Sequence, residues 1–587
     1  MLLSIFLFAI TAVLDPVKFG CAYYPEAWEE SRWEKDLDDM KALGLSAVRV
    51  GEFNWAGFEP SEGYFDFSPY ESFIELCEKK GIEVMMCTPT ATLPPWLRKN
   101  HPEVEKCDEH GVHPPLGSRQ SRCPSSPVFR ELARRVVDRM ARAFSRFRCI
   151  RFWQIDNELH ITAGLGTCCC PACEQGFHAW LRKRYGTIDG LNRAWNQAFW
   201  SSRFTDWSEI TLPISKVRET WNVEFVRYLS DTYVSFACEQ RDVIREHCPH
   251  AVVTSNGSEM SGWMRLDDLY QKLGFVATDT YASPSARERC RWMWGLSRGL
   301  LGRQAPFMVA ETGPFSWEAD ADDADAIVGE WLDDAVRHGA RHYFFFRWRQ
   351  SVNGEQYHPA ILPWSGKKGL SYDRIRRLIA DFRRREQEGA APTFPARSSV
   401  AVLHSNESDQ DVLVRSGKVQ FGLYEDTHIR LNSALERRGI LPDYLIANEM
   451  VDFSGYGIVF LPVCRILPSA VVGKVREYVR NGGTAVAIVC LNAVDPKGGS
   501  YCQTPYPVGL TDVFGIEVNE QRMFPWLDYA LDRVEPTSAC TLRRMEGTAF
   551  KGEPDLTVNA FGAGKAYYKA SVMKDEDMDR LLKEVMP

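Results

Sequence analysis

Two runs of this chain pair a strongly apolar stretch with a terminal glutamate. One is Ile150-Arg151-Phe152-Trp153-Gln154-Ile155-Asp156-Asn157-Glu158, the other Pro306-Phe307-Met308-Val309-Ala310-Glu311. Each reads as a buried strand closing on a carboxylate. The glutamates are far apart in sequence, so only a fold that gathers strand ends at one place brings them together. Two carboxyls meeting at converging strand ends are the equipment of glycoside hydrolysis: one serves as acid/base, the other as nucleophile or base. An isolated glutamate is usually a surface or salt-bridged group; closing a buried strand is what sets these two apart.

The elements needed to position them are legible as a repeat. Short apolar runs at Phe19–Pro25, Ala47–Phe53, Glu83–Pro89, Ile150–Asn157, Val252–Asn256, Phe275–Tyr281, Phe307–Glu311 and His342–Trp348 alternate with amphipathic stretches. Eight βα repeats predict a (β/α)8 TIM barrel over residues 16–388, with Glu158 ending strand four and Glu311 strand seven, at the face where barrels build their sites. The first helix opens on the capping-box sequence Ser31-Arg32-Trp33-Glu34 and ends at Gly44; the second opens on Ser68-Pro69 and ends at Gly81. The connections 90–126 and 159–215 are too long for simple linkers and predict loops that shape access to the site. Phe199, Trp200, Phe204 and Trp207 fit equally a loop packed on itself and the wall of a sugar pocket.

Beyond Gly389-Ala390-Ala391-Pro392 the pattern restarts with strands Val400–His404, Ile458–Pro462 and Ala485–Val489 and helices Thr427–Arg438 and Ala470–Asn481. Residues 393–587 therefore read as a three-layer α/β (flavodoxin/amidotransferase-like) domain. No phosphate-binding glycine loop follows its first strand, and Cys464 and Cys490 read as buried structural thiols. The six arginines from Arg374 to Arg385 read as the solvated face of a helix.

Composition narrows the function classes. A net charge of -8 argues against a nucleic-acid partner. Seventeen cysteines, odd in number and scattered, favour a reducing compartment such as the cytoplasm, or a metal site plus free thiols, over a disulfide framework. Residues 1–15 form an apolar N-terminal segment that would direct export if it is a signal. It carries no Lys or Arg ahead of its apolar stretch, lacks a clean small-x-small cleavage site, and is too short to span a bilayer. Among the cysteines, Cys168, Cys170 and Cys173 have C-x-C-x-x-C spacing suited to one metal ion, with Cys123 the candidate fourth ligand and Cys107 the reserve. Four thiolates leave no open position, so a zinc there is structural; the alternative is a cluster of free thiols or an adventitious disulfide.

Several separated blocks together resemble glycoside hydrolase family 42, the retaining β-galactosidases. They are Tyr23-Tyr24-Pro25-Glu26-Ala27-Trp28, Thr88-Pro89-Thr90-Ala91 with Pro94-Pro95-Trp96-Leu97, and Gly117-Ser118-Arg119-Gln120 with Cys123-Pro124. Further blocks are Trp153 to Glu158, the stretch Phe177 to Trp207, Glu311-Thr312-Gly313-Pro314 and Phe346-Arg347-Trp348-Arg349-Gln350. The resemblance covers about residues 19 to 565. It implies removal of terminal β-D-galactosyl residues through a covalent glycosyl-enzyme, with Glu158 as acid/base and Glu311 as nucleophile. It implies that Arg119 and Asn157 hold the sugar, that Tyr281 orients the nucleophile, and that Phe346, Glu355 and His358 line the sugar subsite. Trp317 is a looser match, because the loop after Glu311 is shorter than the family's usual one. The family's structural zinc maps onto Cys123, Cys168, Cys170 and Cys173, with no catalytic cofactor. The second domain maps onto a trimerisation domain, so a homotrimer is expected, with Trp200 reaching a neighbour's site; the family's usual small C-terminal β domain is not expected here. The rival readings are a same-fold glycosidase of other specificity, such as an α-L-arabinopyranosidase or β-D-fucosidase, and a carbohydrate-binding pseudoenzyme.

Overall fold

The computed structural model describes residues 16–159, 168–213, 220–258, 263–302, 304–316, 323–353, 359–416, 422–497, 499–524, 529–546, 548–571 and 575–586. Nine strand segments form the first sheet: β1 (Lys18–Ala22), β2 (Ala47–Val50), β3 (Glu83–Cys87), β4 (Ile150–Gln154), β5 (Val252–Thr254), β6 (Asn256–Ser258), β7 (Ala277–Asp279), β8 (Phe307–Thr312) and β9 (Ala340–Phe345). They run in parallel in the order β5-β4-β3-β2-β1-β9-β8-β7-β6. β5 and β6 are two pieces of a single barrel strand, interrupted at Ser255. The first piece pairs with β4 and the second with β7, so the sheet turns back on itself. Eight strands close the barrel, as the repeat predicts.

Most strands stop two to three residues before the sequence expectation. The residues past each end, such as Tyr23-Tyr24-Pro25 and Ile155-Asp156-Asn157, leave the ladder to build the loops of the barrel mouth. Inside the barrel, Ala47, Met85, Phe152, Ala277, Met308, Ala310 and Phe344 pack as one buried cluster, while Val48, Met86, Trp153, Val309 and Phe345 face the surrounding helices. This alternation is the two-residue period of a strand. Two residues further toward the mouth the inward set is mostly polar: Arg49, Gln154 and Asp279, with Cys87. β1 contributes Gly20 to the interior, where a Cβ would meet Phe344 at 2.7 Å.

Local helix signals are partly realised. Trp33, Leu37, Met40 and Leu43 form the buried stripe of the helix Glu30–Leu43, which ends at Gly44 in the left-handed conformation. Ser31 does not cap it: the helix starts at Glu30, Glu29 takes the cap position, and no side chain bonds the free amides. With Ser31 already inside the first turn, its hydroxyl has no first-turn amide ahead of it to accept from. The helix Ser68–Lys80 carries Pro69 in its first turn and stops at left-handed Gly81. The arginine-rich helix Leu370–Gln387 is not a freely solvated face. Arg374 and Arg377 both pair with Asp325, and Arg385 pairs with Asp333 at 2.8 Å. Both aspartates belong to the helix region that follows β8, so the arginines fasten neighbouring helices of the outer ring.

The second domain comprises β10 (Val400–His404), β11 (Asp443–Ile446), β12 (Ile458–Pro462), β13 (Thr484–Ile488), β14 (Ile516–Phe524), β15 (Tyr529–Pro536), β16 (Cys540–Arg544), β17 (Pro554–Phe561) and β18 (Gly564–Lys569). Its main sheet has the order β11-β10-β12-β13-β18-β17-β16. The pairs from β11 to β18 are parallel, and β17 and β16 add antiparallel strands at one edge. β14 and β15 pair separately as an antiparallel ribbon. The predicted strands at Val400–His404 and Ile458–Pro462 match residue for residue. Cys464 and Cys490 are fully buried, and burial pushes both thiols up.

The domains meet along the helix Arg287–Gly299 and β11. A Cβ at Gly299 would sit 2.2 Å from the carbonyl oxygen of Tyr444, so the helix approaches the strand as only glycine permits. Beside it Arg298 is buried and donates to Asp443 at 3.1 Å, Pro442 at 2.9 Å and His338 at 3.2 Å.

Candidate active site

Glu158 lies four residues beyond β4, in a turn that the sequence builds from Asp156-Asn157-Glu158. Asp156 and Glu158 have φ of 57° and 47°, in the left-handed region. Such a conformation costs about 1–3 kcal/mol at a non-glycine residue and persists only where surroundings over-determine it. They do so here. Buried Asp156 accepts from Arg122 at 2.7 Å, from the Thr90 hydroxyl at 2.6 Å and from the amide of Asn157 at 2.8 Å. Its own amide donates to Thr88 at 2.8 Å. Gln120 donates to the carbonyl of Glu158 at 2.9 Å, and the Glu158 amide donates to Asn256 Oδ1 at 2.9 Å.

Glu311 reaches the same space through a bulge. Thr278 pairs with Val309 but Asp279 with Glu311, so Ala310 is an extra residue in β8. The alternation of Met308 inward and Val309 outward would otherwise turn Glu311 away from the barrel interior. The inserted residue lets Ala310 and Glu311 both face inward, as bulges beside active sites commonly do.

The Glu311 carboxylate is held on both oxygens. Oε1 accepts from Arg49 Nη2 at 2.5 Å and Asn256 Nδ2 at 3.3 Å; Oε2 accepts from the Tyr281 hydroxyl at 2.6 Å. Burial opposes the charge of Arg49, yet the carboxylates of Glu311 and Glu52 hold its pKa well above the ordinary arginine value. Glu52 accepts from Arg49 at 2.8 and 3.0 Å and also from the Tyr24 hydroxyl. Burial, then the charge of Glu311, keeps the Tyr281 phenol protonated well beyond its usual range. One carboxylate oxygen from each of Glu158, Asp279 and Glu311 lies within 4.8 Å of the other two.

Of the residues expected to contact a sugar, Asn157 is buried next to Glu158, and its Oδ1 accepts from Asn256 Nδ2 at 2.9 Å. Arg119 is exposed at the mouth, 3.3 Å from Glu158 Oε2. Phe346 is buried just past β9, edge-on to Tyr24. Trp317, Glu355 and His358 lie outside the described residues. Arg49, Glu52, Asn256 and Asp279 were not anticipated from the sequence. A signal existed for two of them: Arg49 and Asp279 are charged residues inside otherwise apolar strands, and such residues need partners.

The long loop after β4 folds partly on itself. Phe204 is buried edge-on against Trp195 and Trp221, and Trp207 is half-buried. Phe199 and Trp200 instead stack on one another in solvent, Trp200 at 81% exposure with a left-handed backbone. Packing of the loop on itself therefore accounts for Phe204, and the rings of Phe199 and Trp200 are presented outward.

The thiols of Cys123, Cys168, Cys170 and Cys173 gather in one buried cluster, with all four sulfurs within 4.8 Å of each other. Cys123 Sγ lies 3.4 Å from Cys170 Sγ and 3.5 Å from Cys173 Sγ. A disulfide needs about 2.05 Å. A tetrahedral ion with ligands at about 2.3 Å puts its sulfurs about 3.8 Å apart, so the donor set fits a closed metal site. Cys107 stays out of the cluster; its carbonyl accepts from the Cys169 amide at 2.8 Å.

A parallel barrel whose mouth sets two glutamates this close, one of them clamped by a guanidinium and a phenol, defines the retaining class of glycoside hydrolases. The comparisons with known proteins narrow the class. The profile of the family described as β-galactosidase matches residues 22–384, and that of the β-galactosidase trimerisation domain matches residues 398–587. The chain belongs to this family, glycoside hydrolase family 42. It is 32% identical over 482 residues to the β-galactosidase YesZ of Bacillus licheniformis, covering 80% of this chain and 70% of the relative. It is 27% identical over 600 residues to the β-galactosidase BgaA of Clostridium cellulovorans, covering 97% and 89%. Among solved structures, the β-galactosidase of the haloarchaeon Halorubrum lacusprofundi superposes with a TM-score of 0.87 at 26% identity, covering 97% of this chain and 89% of that one.

Proposed function

We propose that this protein is a retaining β-galactosidase in which Glu311 is the nucleophile and Glu158 the acid/base. The observation that carries the reading is that one carboxylate oxygen of Glu158 lies within 4.8 Å of one of Glu311, a nearest-oxygen approach in keeping with a directly attacking pair. A retaining pair stands about 5–5.5 Å apart, whereas an inverting pair leaves about 6.5–9.5 Å for a water molecule. Glu311 attacks the anomeric carbon of a terminal β-D-galactosyl unit while Glu158 gives its proton to the departing glycosidic oxygen. The negative charge of Glu311 favours that proton on Glu158 beforehand. Ester formation removes the charge, and Glu158 then takes a proton from water as the oxygen attacks the same carbon and Glu311 leaves. Arg49 and Tyr281 hold the nucleophile's two oxygens throughout.

Asn157 and Arg119 fit as sugar contacts, with Phe346, Trp317, Glu355 and His358 completing the subsite. The four-thiol cluster fits a structural zinc, which would pin the loops after β3 and β4 together; no step of the reaction involves it. The match of residues 398–587 to a trimerisation domain supports a homotrimer in which the exposed Trp200 reaches a neighbouring mouth. Residues 16–388 are assigned as the catalytic barrel and 393–587 as the assembly domain. Among the described residues no helix is long and apolar enough to cross a membrane, and the many free thiols suit the cytoplasm.

Initial rates on a panel of aryl glycosides, with wild type beside Glu311→Gln, test the reading. Release from the β-galactoside, at rates that form a bell against pH and vanish in the variant while its fold persists, is the expected result. Near-wild-type turnover by the variant, or a rate flat from about pH 4 to 9, would end the assignment of the pair. Release from an α-L-arabinopyranoside or β-D-fucoside alone would keep the chemistry and move the specificity.

A further inference from the structure

A third carboxyl group, Asp279, stands inside the catalytic cluster, and the reaction above gives it no work. It is buried at the end of β7, and one of its oxygens is within 4.8 Å of oxygens of both Glu158 and Glu311. The cations nearby are already engaged. Arg49 serves Glu311 and Glu52, and Arg119 lies against Glu158. Asp279 makes no ion pair among the described residues, and its Oδ1 is buried without a hydrogen-bond partner there. Its Oδ2 accepts from Asn256 Nδ2 at 2.6 Å.

Asn256 is a hub. The same amide nitrogen faces Asp279 Oδ2, Asn157 Oδ1 at 2.9 Å and Glu311 Oε1 at 3.3 Å, and Asn256 Oδ1 accepts the backbone amide of Glu158 at 2.9 Å. The alternative amide orientation would turn oxygen toward three oxygens and nitrogen toward an N–H, so the orientation is fixed. The position is prepared by the break at Ser255, whose hydroxyl donates to the carbonyl of Ile155 at 2.9 Å, tying the broken strand to the turn of Glu158.

We propose that Asn256 and Asp279 are positioning residues for the two glutamates: one amide ties the turn of Glu158 to the carboxylate of Glu311, and Asp279, as a neutral acid, anchors that amide. The inference rests on the roles assigned above to Glu158 and Glu311. With Glu311 ionised, further charges this close are not sustained: Glu158 holds the proton it delivers, and Asp279, buried and without a cation among the described residues, keeps its own. Burial, then Glu311, then Glu158 push the Asp279 carboxyl well above the usual range, with Arg49 opposing. Tyr281 and Tyr270 are the other titratable groups facing it, and both stay protonated.

Asp279→Asn keeps the shape and the absent charge. Asp279→Leu, which removes the acceptor facing Asn256, should lower kcat/KM on lactose about tenfold or more, and Asp279→Asn should recover most of that loss with both limbs of the pH profile in place; no loss in Asp279→Leu would remove Asp279 from the proposal. A limb displaced by about one pH unit or more in Asp279→Asn would show that wild-type Asp279 is ionised and would overturn its part of the proposal. Asn256→Ala and Asn256→Asp lose the amide donor. Each should lose about 100-fold in kcat/KM on lactose but less than about tenfold in kcat/KM on a dinitrophenyl β-galactoside, whose leaving group needs no proton; kcat on the aryl substrate falls further where deglycosylation, which needs Glu158 as base, limits turnover. Equal losses on both substrates with a lowered Tm would reduce Asn256 to a structural role, and unchanged rates would remove it altogether. Wild type is measured on the aryl panel alongside. Should it turn over another glycoside and not the galactoside, the specificity reading fails separately, and the variants are compared on the glycoside that reacts.

Discussion

Removing the Tyr281 hydroxyl separates the two halves of a double displacement. That hydroxyl donates to Glu311 Oε2 at 2.6 Å and remains a neutral donor at every working pH. A hydrogen bond to a charged group contributes about 1.5–3 kcal/mol and one between neutral partners about 0.5–1.5 kcal/mol. In the glycosyl-enzyme Glu311 is an ester and the bond is of the weaker kind; as the ester breaks, the carboxylate returns and the bond strengthens. Tyr281→Phe therefore raises the deglycosylation barrier by about 1–2 kcal/mol, a loss of about 5- to 30-fold in kcat. Glycosylation runs the other way. The free carboxylate loses a stabilising partner before it attacks, so kcat/KM on a reactive aryl galactoside changes by less than about threefold. Stopped-flow measurement of aryl alcohol release should then show a burst approaching one equivalent per site, absent or smaller in wild type, with KM lowered as the intermediate accumulates. An unchanged kcat without a burst would refute the reasoning, as would a kcat/KM that collapses while kcat holds.

Other outcomes follow from the same geometry. Metal analysis should find about one zinc per chain; Cys173→Ser or a strong chelator should release it and lower the Tm by about 5 °C or more while leaving the chemistry of the remaining folded enzyme intact. A chain free of zinc with an unchanged Tm would make the cluster a set of buried thiols. Burial pushes His342 down to about 3 and His404 to about 4, so both are neutral in the folded state. Their folded values lie below the unfolded value of about 6.5. Stability from each is therefore complete above about pH 6.5 and is lost as pH falls, at up to about 1.4 kcal/mol per unit, until the folded value is reached. His342→Leu should flatten the slope of stability below pH 6.5, and an unaltered slope would count against it. Sedimentation should give a trimer whose activity falls in Trp200→Ala; a fully active monomer would remove the assembly from the mechanism.

The repeat of short apolar runs and amphipathic helices determined the barrel, because a strand or helix announces its buried face by local period. It also determined which two glutamates end strands four and seven, while the C-x-C-x-x-C spacing of Cys168, Cys170 and Cys173 pointed to a shared ion. Boundaries were less legible: Ile155-Asp156-Asn157 prolong an apolar run in the sequence but leave the ladder to form the strained turn of Glu158. Only the tertiary structure decided how Glu311 comes to face inward. The sequence Met308-Val309-Ala310-Glu311 predicts alternation, and the extra residue in β8 is visible only against its neighbours β7 and β9. Likewise Arg49, Asn256 and Asp279 come from three different strands, and nothing in their own neighbourhoods says that they meet. Local sequence fixes which way a side chain points within its element; which charges share a buried space depends on register and bulges across strands, and those are settled by the packing of the whole barrel.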